Sequence, residues 1–105
     1  MISQLRRITL FSLLAMSTQT FAAGDAARGK VAADTCFGCH GVTSYTNVYP
    51  TYKVPKLAGQ HADYLAVALK GYRSGERSHK TMRAQAARLS DQDIEDIAAY
   101  FATLK

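Results

Sequence analysis

The sequence predicts a small all-α domain with three main helices. Residues 60–74 and 90–104 repeat apolar side chains at the three- and four-residue intervals of a helix. No segment of the 105 residues alternates well enough to read as a strand. The stretch of residues 41–55 holds Thr, Ser, Asn, Tyr and Pro and reads as a loop. There is no internal repeat and no linker, so a single domain is expected.

Residues 1–22 read as an export signal removed from the mature chain. Arg6 and Arg7 supply its positive end, and residues 8–16 are apolar apart from Thr9 and Ser12. Thr20 and Ala22 then stand at the small-residue positions, which places cleavage after Ala22, with Ala23 as the second choice. The apolar stretch is far shorter than the roughly 20 residues a membrane-spanning helix needs. An uncleaved anchor is the alternative. Removal leaves residues 23–105, enough for one domain and not two.

Asp25 is placed as the N-cap of a first helix running to about residue 35. Gly29 falls in its middle, where glycine costs about 1 kcal/mol relative to alanine. Close approach of another helix would explain it; a tolerated weak point is the bland reading. In the second helix, residues 60–74, the apolar stripe is Ala62, Leu65, Leu69 and Tyr72, flanked by Ala66 and Ala68, and Gly75 is a suitable stop. The third is the clearest. Ser90 caps it, Asp91 and Asp93 favour its positive end, and Ser90 with Asp93 resembles a capping box. Its buried face is expected to be Ile94, Ile97, Ala98 and Phe101, with Leu104 at the end.

Residues 36–40 read Cys-Phe-Gly-Cys-His, and Cys36 and Cys39 are the only two cysteines. The C-x-x-C-H pattern attaches a haem covalently: two thiols grip one edge of the porphyrin through thioethers, and the following imidazole, His40, falls over the iron. A thioredoxin-like redox pair would need a βαβ pattern around it, which is missing. A zinc site would need a fourth ligand, and His61 and His79 form no second ligand pair. A plain Cys36–Cys39 disulfide stays open, but leaves His40 without a role. A covalently held haem would also staple a domain too small for an ample core, so the haem-free chain is expected to be largely unfolded.

Met82 is the only methionine once Met1 and Met16 leave with the signal. It sits among His79, Lys80, Thr81 and Arg83, with no helical apolar pattern before it, as a ligand on a loop would. His79 and His61 are the competing donors, and solvent-facing side chains are their default reading.

Taken in order, these pieces resemble a family. Gly29-Lys30, the 36–40 motif with Gly41, Pro55-Lys56-Leu57-Ala58-Gly59-Gln60, Met82, Leu89-Ser90-Asp91 and Ala98-Ala99-Tyr100-Phe101 are similar to the landmarks of small bacterial class I cytochromes c, over residues 24–104. The resemblance implies the cytochrome c fold, wrapped around one covalently attached haem. It implies first and last helices crossing near Gly29 against Tyr100 or Phe101. It makes His40 and Met82 the axial iron ligands and the Pro55 carbonyl the acceptor for the His40 imidazole N–H. It further implies an exported, periplasmic single-electron carrier and not an enzyme. His/Met ligation raises the reduction potential and leaves no open position on the iron.

The chain is formally +5. Loss of Arg6 and Arg7 takes 13 basic residues to 11 against 8 acidic, near +3, and two haem propionates lower that to about +1. Lys53, Lys56, Lys70, Arg73, Arg77, Lys80 and Arg83 fall in segments expected to flank the haem, while Asp91, Asp93, Glu95 and Asp96 gather on the last helix. The basic set is read as steering acidic redox partners, against the plain alternative of an ordinary solvated surface. Nothing resembles a nucleic-acid reader. The six tyrosines, Tyr45, Tyr49, Tyr52, Tyr64, Tyr72 and Tyr100, are expected to line the haem or bond its propionates. A monomer without membrane insertion is expected after cleavage. The alternatives are a haem subunit of a larger oxidoreductase, or a small haem enzyme or gas sensor with a displaceable Met82.

Overall fold

The computed structural model describes residues 24–105; the export signal read in residues 1–22 lies outside them. The described chain is mostly helical: α1 (Ala26–Ala32), a 3-10 turn (Asp34–Cys36), α2 (Phe37–His40), β1 (Thr46–Val48), β2 (Thr51–Lys53), α3 (Ala62–Ser74), α4 (Lys80–Ala86) and α5 (Asp91–Thr103). Among the described residues no helix is long and apolar enough to cross a membrane.

Asp25 caps α1 as expected, its carboxylate accepting from the backbone N–H groups of Ala27 and Arg28 at 2.9 and 3.2 Å. The helix ends sooner than expected, at Ala32, and the chain tightens into the 3-10 turn that leads to Cys36. Thr35 and Cys36 are weak helix formers, and Ala33, fully buried, stands between the two segments. At the far end of the chain the capping box closes reciprocally. Ser90 Oγ accepts from Asp93 N, and the Asp93 carboxylate accepts from Ser90 N, each at 3.0 Å. Helix α3 stops at Gly75, whose φ of 89° only glycine adopts freely.

The frame of the fold is α1 lying across α5, with α3 packed on the other flank of α5. A Cβ on Gly29 would overlap the Asp96 carbonyl and come within 2.9 Å of Tyr100 Cβ. The mid-helix glycine is therefore a crossing point, and its partners are Asp96 and Tyr100. Phe101 turns the other way and is buried with Ala33, Leu65, Ala66, Ile94, Ile97 and Ala98 in the core.

Three expectations need correction. Residues 41–55 are not all loop: β1 and β2 form an antiparallel hairpin with Thr46 opposite Lys53 and Val48 opposite Thr51. Strands of three residues give one alternation each, too little for periodicity to register. Second, Met82 sits on α4 rather than on a loop. That helix is built from Ala84, Ala86 and other good formers, it packs on α3, and Ala86 is fully buried. Third, Asp96 does not join the surface acids. It is 4% exposed and accepts from Asp25 N at 2.7 Å and Gln92 Nε2 at 2.9 Å, with Arg28 Nε at 3.4 Å. Burial pushes its carboxyl up. The Asp25 N–H, the Gln92 amide and the Arg28 charge outweigh burial and hold it below the usual range.

Candidate haem-binding site

The site begins with one turn of chain. Cys36 closes the 3-10 segment and α2 carries Phe37 to His40, so Cys36 and Cys39 stand three residues apart on one helical face. Both are half-buried free thiols facing the same cavity. Phe37, between them in the motif, does not line the cavity and anchors the turn to α5. Its ring stacks on Phe101 with centroids 5.4 Å apart and meets Tyr100 edge-on at 6.0 Å. Burial pushes the Cys36 thiol up, partly offset by the nearby Arg88 charge and a hydrogen bond with Thr35. Arg88 in turn donates to Thr35 Oγ1 at 2.7 Å, tying the chain after α4 to this turn.

His40 Nδ1 lies 2.8 Å from the Pro55 carbonyl oxygen. A carbonyl only accepts, so Nδ1 carries the proton and Nε2 keeps a lone pair. Pro55 is held by its own segment, because Gly59 N donates to the Phe101 carbonyl at 2.9 Å at the end of α5. The imidazole is thus braced, through Pro55, against the C-terminal helix.

Met82 reaches the same cavity from α4. The cavity is about 300 Å³ and collects Cys36, Cys39, His40, Pro55 and Met82. Its walls are Leu57, Leu65, Ala68, Leu69, Ile97 and Phe101, from α3, α5 and the 55–60 segment. This donor set fits a haem: two thiols on one edge, an imidazole lone pair, a thioether, and apolar walls for a flat macrocycle. No group of three or more Cys, His, Asp or Glu is placed to hold a metal among the described residues, so the zinc reading has no donor set there.

The histidines part company. His61 is exposed ahead of α3 and does not line the cavity. His79 does line it, and its Nδ1 accepts from Met82 N at 3.3 Å. Of the tyrosines, Tyr52, Tyr64 and Tyr72 line the cavity, whereas Tyr49 is 96% exposed at the hairpin tip and Tyr100 packs on α1 and Phe37. The basic set divides too. Lys53, Lys56 and Arg77 reach the cavity. Lys70 pairs with Glu95 at 3.0 Å, and Arg73 pairs with Asp91 while donating to the Leu89 carbonyl, so both link α3 to α5. The roles of Phe37 and His79 were missed in the sequence. An aromatic inside the motif was the only available signal for the first.

Fold and donor set together define a mostly helical domain with an apolar cavity suited to a covalently held haem. Comparison agrees. Residues 26–105 match the family model described as cytochrome c. Cytochrome c4 of Pseudomonas aeruginosa is 40% identical over 98 residues, covering 93% of this chain and 47% of that protein. Cytochrome c-554(548) of Halomonas halodenitrificans is 45% identical over 84 residues, covering 77% of this chain and 98% of that protein. The crystal structure of reduced recombinant cytochrome c4 from Pseudomonas stutzeri superposes with a TM-score of 0.60 at 32% identity, covering 84% of this chain and 55% of that one.

The chain belongs to the cytochrome c family, and its likeness is to class I c-type members. Membership carries with it covalently bound haem c and its iron. The chain spans about half the length of the cytochrome c4 proteins it matches.

Proposed function

We propose that this protein is an exported, periplasmic single-electron carrier with one haem. Cys36 and Cys39 would hold the haem through thioethers, and His40 and Met82 would ligate its iron. The observation that carries the reading is the convergence of these four side chains, from two distant segments, on one apolar cavity. The two cysteines present suffice for one attachment. When bound, the haem supplies an iron that exchanges one electron between Fe(III) and Fe(II).

The chain's own residues do the rest. The half-buried thiols would fix the group to the turn at residues 36–40. The Pro55 carbonyl holds the His40 ring proton on Nδ1, which leaves Nε2 a lone pair of raised basicity with which it would hold a metal. Leu57, Leu65, Leu69, Ile97 and Phe101 would keep water from a macrocycle held there. With His40 and Met82 both holding the iron, oxygen and substrates would have no place to bind, which favours a carrier over an enzyme.

Partners are redox proteins of the same compartment, and the protein acts as a monomer. Lys53, Lys56 and Arg77 at the cavity support steering of acidic partners, whereas Lys70 and Arg73 are engaged with acids of α5. The test is carbon monoxide added to the reduced holoprotein alongside a reversible redox titration. A one-electron couple with little carbon monoxide binding is expected. Ready binding would move the enzyme or sensor reading to the front.

A further inference from the structure

We infer that His79 is the positioning residue for Met82, and that the bond by which it does so withholds His79 from the iron. The inference rests on the proposed assignment of Met82 as ligand.

His79 is the N-cap of α4, and its Nδ1 accepts from the backbone N–H of Met82 itself at 3.3 Å. Accepting there commits the Nδ1 lone pair. In a neutral imidazole the proton then sits on Nε2, which has no lone pair left for a metal. A histidine lining the cavity, three residues from the proposed ligand, is therefore turned from competitor to support.

The ring is itself held. Tyr52 of β2 meets it edge-on with centroids 4.6 Å apart, and Tyr72 of α3 does so at 6.4 Å. Tyr52 Oη stands 3.3 Å from Thr81 Oγ1 in the first turn of α4, and the Arg77 guanidinium lies 4.7 Å over Tyr72. Helix α4 has seven residues, too few to hold its geometry without tertiary support. Its first turn is fixed where the capping bond and the tyrosine edges place it, and Met82 is in that turn. Histidine is not among the favoured capping side chains, whereas Asn, Asp and Ser are. The two tyrosine contacts are what a smaller cap would not make.

The experiment uses full-length protein exported with the haem-attachment machinery, as wild type, H79N and H79F. Two quantities are read on oxidised protein: the far-red sulfur–iron(III) band, and the affinity for added imidazole, which must displace the methionine. H79F keeps a ring between the tyrosines but no acceptor, and it should bind imidazole about fivefold more tightly, the effect of losing a cap. H79N keeps an acceptor and should stay within about twofold of wild type, with the band retained. Should H79F fail to load haem, amide hydrogen exchange at Met82 in the wild type decides. Protection is expected, and free exchange would overturn the inference.

A wild type with the band and an H79F of unchanged imidazole affinity would overturn the inference alone. A wild type without the band would overturn the ligand assignment and this inference together.

Discussion

His40 Nδ1 stands 2.8 Å from the Pro55 carbonyl oxygen, and that contact fixes the tautomer on which the whole site depends. In holoprotein the Nδ1 proton should therefore exchange slowly with solvent and give a resolved nitrogen-correlated signal. Rapid exchange would mean that the ring is not braced by Pro55.

The α1–α5 crossing makes a second expectation. A Cβ at Gly29 meets backbone, not a flexible side chain, so the helices must separate to admit it. Gly29→Ala should cost about 2 kcal/mol or more in denaturant unfolding of holoprotein. Val31→Ala, two residues on and 77% exposed, should cost within about 0.5 kcal/mol. Equal effects would refute the crossing.

Asp96 gives the stability its acid dependence. Its folded pKa lies below the unfolded value, so its contribution is present above about pH 4 and fades as pH falls through the folded value. The stability gap between wild type and Asp96→Asn should thus shrink on acidification below about pH 4. Asp96→Ala strands the Asp25 N–H and the Gln92 amide and should cost about 1–3 kcal/mol at neutral pH. The Arg28 side chain is 63% exposed, so its ion pair contributes little of that. A gap that stays constant from pH 7 to pH 3 would refute the linkage.

Removal of the cofactor should unfold the chain. An apolar cavity of about 300 Å³ left unfilled would cost on the order of 7 kcal/mol at ~24 cal/mol per Å³, an upper figure because water enters. A domain of this size has only about 4–12 kcal/mol in total. Cys36→Ala with Cys39→Ala, expressed without haem, should show no cooperative far-ultraviolet melt. A sharp melt would contradict this.

The sequence made some of this legible and hid the rest for physical reasons. Helices α3 and α5 declared themselves because their caps and apolar stripes are local: Ser90 with Asp93, and Gly75. The thiols and His40 are contiguous, so their grouping needed no folding to see. Asp96 was placed on the last helix, but its burial was hidden because only the arrival of Asp25 and Arg28, about seventy residues earlier, gives it partners. Helix α4 was missed because its cap is a histidine and its support comes from Tyr52 and Tyr72 on other elements. The spread of basic residues misled for the same reason, since Lys70 and Arg73 find their acids only once α3 packs on α5.

The most direct test of the central claim is the visible spectrum of oxidised and reduced holoprotein, for wild type and Met82→Ala. The expected result is a low-spin c-type spectrum with a far-red sulfur–iron(III) band that Met82→Ala lacks. A wild-type spectrum that is high-spin, or low-spin without that band, would contradict ligation by His40 and Met82.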